Sequence, residues 1–305
     1  MTEPTAVLLM AYGTPGRAGD IEAYYTDIRR GRPPTAEQLA GLVARYEAIG
    51  GLSPLTARTE AQRTALQRAL EERAPGGFEV VLGYKHVAPR VEDTVAALGA
   101  RGVRDAIGLV LAPHWSAASV GEYHERAAKA AAVAGVGYAA VERWHLEPAY
   151  LDFQAAVVAE GLAALPANTK VLFTAHSLPS RVIAAGDPYA ELLRASAEAV
   201  ARRAALVPWG GWGVGYQSAG RTPEPWLGPD VRTVIEELAA APGATGLLVC
   251  PLGFVADHLE VLYDLDIEAR RHAEERGLAF ARTPVVNDDP AVMAALADLV
   301  LERRR

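Results

Sequence analysis

Three carboxylates recur at intervals of four: Glu260, Asp264 and Glu268. On an α-helix that spacing stacks them along one face, roughly 6 Å apart per step. Like charges placed so repel by about 0.2–0.5 kcal/mol per pair, and a helix built for stability alone would interleave lysines. A row of hard oxygen donors suits a divalent cation, held in place or passed along. The same row also fits a solvated acidic face. It follows an apolar run, Gly246–Leu252, and a turn at Gly253.

His176 ends the segment Phe173-Thr-Ala-His-Ser-Leu-Pro179. A neutral imidazole is the natural proton acceptor near pH 7, and with Glu260 it makes a borderline-soft site suited to Fe²⁺ or Zn²⁺. A histidine there also serves as a hydrogen-bonded loop residue. Tyr12 stands before Gly-Thr-Pro, either as a packed aromatic or as a phenolate able to ligate iron. Arg29, Arg30, Arg32 and Arg45 form a basic cluster in an acidic protein. Beside the tyrosines near them and Ser53, they suit a flat ligand carrying carboxylates, which arginine grips in bidentate fashion.

The elements that must position these residues read as α/β. Apolar runs at 6–11, 79–84, 106–112, 137–141, 170–175, 212–216, 246–251 and 278–283 are predicted strands. Helical patterns such as Glu60–Arg73 and Pro188–Ala205 lie between most of them, which is the rhythm of parallel sheets covered on both faces. The chain also repeats weakly. Val7–Pro15 resembles Val171–Pro179, Gly83-Tyr84 resembles Gly215-Tyr216, and Leu111-Ala-Pro113 resembles Val249-Cys-Pro251. Two Rossmann-like halves with a cleft between them are expected, 1–140 plus 287–305 and 141–286. Tyr12 and His176 are then equivalent strand ends. The first half carries about 32 extra residues around 16–54, a candidate ligand cradle. A last helix is predicted over 290–305, opened by Asn287-Asp-Asp-Pro290.

Composition narrows the function. The chain has 305 residues, half of them hydrophobic, and a net charge of −7, which disfavours nucleic acid and anionic membrane as main partners. The single cysteine, Cys250, excludes an internal disulfide, a Cys₄ zinc site and a cysteine-ligated iron–sulfur cluster. No signal peptide or membrane span is read, and a cytoplasmic location is expected. The glycines of Gly210-Gly-Trp-Gly-Val-Gly-Tyr216 do not match a dinucleotide fingerprint. No nucleophile elbow of the G-x-S-x-G type is present either.

In family order, the stretches Met10–Pro15, Tyr24–Arg32, Arg45–Pro54, Gly83-Tyr-Lys-His86, Ala175–Pro179, Tyr216–Pro229 and Gly253–Asp264 resemble the ferrochelatases, and in particular the bacterial coproporphyrin ferrochelatase type. The resemblance covers essentially the whole chain. It implies two Rossmann-like halves with a porphyrin cleft and insertion of Fe²⁺ into coproporphyrin III, giving coproheme in haem biosynthesis. It implies that His176 and Glu260 are the catalytic, metal-binding pair. Tyr12 is then an axial ligand on the opposite face, and Arg29, Arg45, Tyr46, Ser53 and Tyr123 hold the porphyrin. His86 is a further cleft candidate. Asp264 and Glu268 match the acidic row, a candidate second site for an accessory divalent metal or an exit path for ions and protons. Tyr12 favours coproporphyrin over protoporphyrin IX. A monomer is expected, with other haem-pathway enzymes as peripheral partners. The alternatives are a protoporphyrin IX ferrochelatase, a sirohydrochlorin metal chelatase, a non-enzymatic porphyrin or haem carrier, and a two-domain solute-binding protein.

Overall fold

The computed structural model describes residues 4–207, 210–220 and 222–304. The chain divides into two compact units, Met1–Trp144 with Asn287–Arg305, and His145–Val286. Each unit is a parallel four-stranded sheet flanked by helices. The first holds β1 (Thr5–Ala11), β2 (Phe78–Tyr84), β3 (Asp105–Val110) and β4 (Gly137–Val141) in the order β2-β1-β3-β4. The second holds β5 (Thr169–His176), β6 (Trp212–Gln217), β7 (Gly246–Cys250) and β8 (Ala279–Arg282) in the order β6-β5-β7-β8. The central strands read as unbroken apolar runs because both of their faces are covered: Val7, Leu8, Leu9 and Met10 are fully buried.

The helices follow the same rhythm. In the first unit they are α1 (Ile21–Ile28), α2 (Ala36–Ala48), α3 (Leu55–Arg73), α4 (Val91–Ala100) and α5 (Val120–Ala134). In the second they are α6 (Pro148–Ala163), α7 (Ser180–Ala184), α8 (Tyr189–Arg203), α9 (Val231–Ala240), α10 (Leu259–Leu262) and α11 (Arg270–Glu274). The chain then returns to the first unit as α12 (Pro290–Arg303), which packs on α3. Asp289 caps α12 by accepting from the N–H groups of Ala291 and Val292. Arg305, included in the predicted last helix, lies outside the described residues. The additional segment of the first unit is helical. It holds α1 and α2, the latter opened by a capping box between Thr35 and Gln38.

The two strand orders are the same path drawn twice, and the registers test the repeat residue by residue. Gly83 and Tyr84 pair with Met10 and Ala11, while Gly215 and Tyr216 pair with Thr174 and Ala175, the positions that the alignment of Val7 with Val171 equates. The third match is displaced. Ala106 stands beside Ala6 and Leu247 beside Lys170, so Leu247 corresponds to Ala106 and not to Leu109. Leu-Ala-Pro and Val-Cys-Pro are alike in composition but three residues out of register.

The acidic row departs from the regular α-helix that its spacing predicts. After α10, residues Asp264–Ala269 form a single π-helical turn that leads into α11. Glu268 N–H donates to Tyr263 O at 3.0 Å, a five-residue step. Arg270 Nε donates to the Asp266 carbonyl at 3.2 Å, occupying an acceptor that an α-helical N–H would use. The wider turn still buries Leu265 and Ala269 in the second unit's core. It leaves Asp264 half-buried and Glu268 exposed.

Candidate functional site

In the second unit, β5 ends at His176. Its Nδ1 lies 2.5 Å from the carbonyl of Ser177, and a carbonyl only accepts, so Nδ1 carries the proton and Nε2 is left to face outward. Tyr189 Oη donates to the His176 carbonyl at 3.0 Å and fixes the main chain there. Nε2 stands 3.7 Å from Glu260 Oε1. The other oxygen of Glu260 stands 3.7 Å from His258 Nε2. The carboxylate thus lies between two imidazoles.

Two features place Glu260. Gly253 passes so close to β5 that a Cβ there would sit 2.4 Å from the Cβ of Ala175, so the turn from β7 toward α10 requires glycine. Buried Gln217, at the end of β6, accepts from Thr174 Oγ1 at 2.9 Å and donates to the Glu260 carbonyl at 3.0 Å. It ties α10 to β5 at Glu260 itself and at Thr174, two residues before His176. Ser218 follows in the left-handed region (φ 59°), a strained setting for a non-glycine residue, and donates from Oγ to Asp264 Oδ2 at 2.5 Å.

The electrostatics couple the pair. Burial opposes charge on His176, but Glu260 outweighs it and the imidazole's pKa is raised. Burial likewise pushes Glu260 up, but His176 and then His258 hold it well below the usual carboxylate range. An ionised carboxylate beside an imidazole whose Nε2 points at it is a donor pair for a divalent cation, and proton and metal compete for that nitrogen.

In the first unit, Tyr12 lies one residue past β1 and is 42% exposed. Its ring packs at 4.4 Å from that of His86. Gly13 then takes a left-handed turn (φ 86°) against Val87, and Tyr24 Oη donates to its carbonyl at 3.1 Å. His86 Nδ1 meets Asp27 Oδ2 at 2.7 Å, and the other oxygen of Asp27 accepts from Arg90 Nη2 at 2.7 Å. Burial lowers the pKa of His86 despite Asp27. The ring tilted against Tyr12 is therefore an imidazole oriented by Asp27 and biased by burial toward its neutral form.

The remaining sequence candidates in this unit vary in exposure. Arg29 is half-buried, with its guanidinium 5.6 Å over the Tyr25 ring. Arg45 and buried Tyr46 share α2, and Tyr46 Oη lies 3.3 Å from Thr14 Oγ1. Ser53 is buried and accepts from Leu55 N–H at 3.3 Å. Tyr123 is buried under Lys85 Nζ, 5.2 Å from its ring, and burial holds its hydroxyl protonated.

Sequence reading passed over His258, Gln217 and Ser218. His258 had a signal, since it stands two residues before Glu260, but Gln217 and Ser218 are ordinary polar residues until β6 is laid beside β5. Among the described residues, no group of three or more His, Cys, Asp or Glu side chains is arranged to hold a metal, and Asp264 is engaged by Ser218. Cys250 is a core residue whose thiol burial pushes up to about 12. Among the described residues no helix is long and apolar enough to cross a membrane.

A family model for ferrochelatase matches residues 4–304. A coproporphyrin III ferrochelatase of Geobacillus kaustophilus is 45% identical over 99% of this chain and 97% of that protein. One from Listeria monocytogenes is 41% identical over 99% of each. A ferrochelatase of Herpetosiphon aurantiacus is 43% identical over 98% of this chain and 99% of that protein. Among solved structures, SirB from Bacillus subtilis with Fe³⁺ aligns with a TM-score of 0.58 at 15% identity, covering 98% of this chain and 95% of that one. CbiX, the terminal enzyme for biosynthesis of siroheme in denitrifying bacteria, aligns at 0.55 and 14%, covering 98% of each. At such identities the structures show a shared fold alone.

Proposed function

The chain belongs to the ferrochelatase family, and we propose that it inserts Fe²⁺ into coproporphyrin III to form coproheme in haem biosynthesis. The observation that carries this reading is the His176–Glu260 pair, an imidazole Nε2 set 3.7 Å from an ionised carboxylate. The names of the Geobacillus kaustophilus and Listeria monocytogenes relatives, 45% and 41% identical over nearly the whole chain, support coproporphyrin III as the porphyrin.

Two pyrrole N–H protons must leave as the dication enters, so the reaction needs a proton acceptor as well as a metal ligand. We assign both to His176. It offers Nε2 to the entering ion and then, with Glu260 balancing its charge, carries a pyrrole proton. His258 braces the other oxygen of Glu260. Asp264 and Glu268 are assigned to accepting protons or a second divalent cation. On the first unit, Tyr12 is assigned as an iron ligand whose phenol is oriented by the His86 ring. Arg29, Arg45, Tyr46, Ser53 and Tyr123 are assigned to the macrocycle and its propionates. Arginine's fork matches the four carboxylates of coproporphyrin. Distortion of the macrocycle by these remote contacts would expose the pyrrole nitrogens. A cytoplasmic location fits the single buried thiol, and a monomer is proposed.

The test is an anaerobic mixture of protein, Fe²⁺ and porphyrin, followed by loss of free-porphyrin fluorescence, with coproporphyrin III and protoporphyrin IX in parallel. Rapid loss with coproporphyrin III alone is expected. Equal rates would remove the substrate assignment but keep the chelatase. Binding of both without insertion would make the protein a carrier.

A further inference from the structure

Arg282 ends β8, and its side chain is 13% exposed. Nε and Nη2 donate to Oδ1 and Oδ2 of Asp266, each at 2.8 Å. Nη1 donates to the Thr283 carbonyl at 3.0 Å and lies 3.6 Å from Asp257 Oδ1. One guanidinium therefore grips two carboxylates that flank Glu260 in the chain, Asp257 three residues before it and Asp266 six after. β8 does not need this grip to stay in its sheet, because it pairs with β7 from Gly246–Ala279 to Val249–Arg282 through the main chain.

What the grip holds is the segment between the two aspartates, which contains His258 and Glu260 and runs into the π-helical turn. A π turn is rare and survives where neighbouring groups sustain it. Asp266 is held twice here, by Arg282 on its carboxylate and by Arg270 on its carbonyl. His176, by contrast, is anchored on β5. Its separation from Glu260 is therefore set by how firmly the 257–266 segment is fixed against the sheet, by Gln217 at the Glu260 main chain and by Arg282 at the two flanking carboxylates.

We propose that Arg282 is a positioning residue for metal insertion: by bridging Asp257 and Asp266 it holds the Glu260 carboxylate at its distance from His176. The inference rests on the proposed role of His176 and Glu260 as the metal-binding pair. Residues behind a metal's direct ligands fix ligand orientation, and their loss costs roughly 10–100-fold in metal affinity or activity.

The decisive variant is Arg282→Lys, which keeps the charge and loses the two-pronged grip. Two measurements are made on the full chain: Co²⁺ titration by visible absorption, and anaerobic iron insertion into coproporphyrin III. Co²⁺ affinity and kcat are both expected to fall ~10–100-fold, with KM for the porphyrin unchanged. A merely structural arginine would lower the melting temperature and leave both values intact well below it, and that result overturns the proposal. If Arg282→Lys does not fold, Asp266→Asn breaks the same bridge from the other side, with the same expected losses and the same overturning result. If the wild type inserts no iron yet binds Co²⁺ in a way that His176→Ala abolishes, the functional reading fails and the Co²⁺ arm alone decides on Arg282. If His176→Ala leaves Co²⁺ binding unchanged, the pair is not a metal site and the positioning role falls with it.

Discussion

His176 Nε2 and Glu260 Oε1 face each other across 3.7 Å, and the two residues come from different elements of one sheet unit. β5 supplies the imidazole, and the segment after β7 supplies the carboxylate. The gap is too long for a strong hydrogen bond, but a cation between the two groups can be ligated by both.

Replacing Glu260 with Gln keeps the shape and removes the charge. Iron insertion should fall by about 10²-fold or more, while coproporphyrin binding, read from the quenching of porphyrin fluorescence by the protein, stays near wild type. Turnover within a factor of two of wild type would remove Glu260 from the mechanism.

The same substitution should weaken a pH dependence of stability. His176 has its pKa raised above 6.5 by Glu260 against the opposing effect of burial. Its stabilisation is then fully present below pH 6.5 and is lost as pH rises through the raised value. Glu260, held low, loses its contribution only on the acid side of 4.5. In Glu260→Gln the largest upward influence on His176 is gone and burial is opposed only by the Ser177 carbonyl and Asp264, so its pKa is lower than in the wild type. The stability difference, wild type minus variant, should therefore shrink between pH 6 and pH 8 in metal-free urea unfolding. A difference that is flat or grows with pH would contradict the coupling.

Gly253→Ala should be costly, because the added methyl would meet the Ala175 Cβ at 2.4 Å and its Cα at 2.9 Å. Overpacking of this kind costs about 1–3 kcal/mol, and here it also pushes the start of the Glu260 segment away from β5. Gly213→Ala is the control, since its nearest neighbour would be Leu172 Cδ1 at 4.0 Å. Urea midpoints should separate the two variants clearly, and equal midpoints would contradict the close approach.

Arg29→Ala should raise KM for coproporphyrin III with little change in kcat. A hydrogen bond to a charged group is worth about 1.5–3 kcal/mol, or roughly 10–100-fold. An unchanged KM would free Arg29 from its assignment to a propionate.

The strands were legible because both sheets are parallel and covered on each face, so β1, β5 and β7 read as continuous apolar runs. Tyr84 and Tyr216 lie where the repeat put them because each pairs with the strand carrying the repeated segment. Leu111-Ala-Pro misled because an apolar strand end before proline recurs in many α/β chains, and its register is set by neighbours. The acidic row was read with α-helical periodicity. Arg270 donates to the carbonyl four residues before it, whereas Arg282 reaches the row from β8 through a contact that no local pattern encodes. Gln217 and Ser218 acquire their roles in the same way, through the pairing of β6 with β5.

The most direct measurement is anaerobic insertion of Fe²⁺ into coproporphyrin III by the wild type and by His176→Ala, with porphyrin binding measured on the same samples. Rapid insertion by the wild type, a loss of about 10²-fold or more in the variant and equal porphyrin binding by both is the expected result. Near-normal turnover by a folded His176→Ala protein would contradict the assignment of metal capture and proton acceptance to the His176–Glu260 pair.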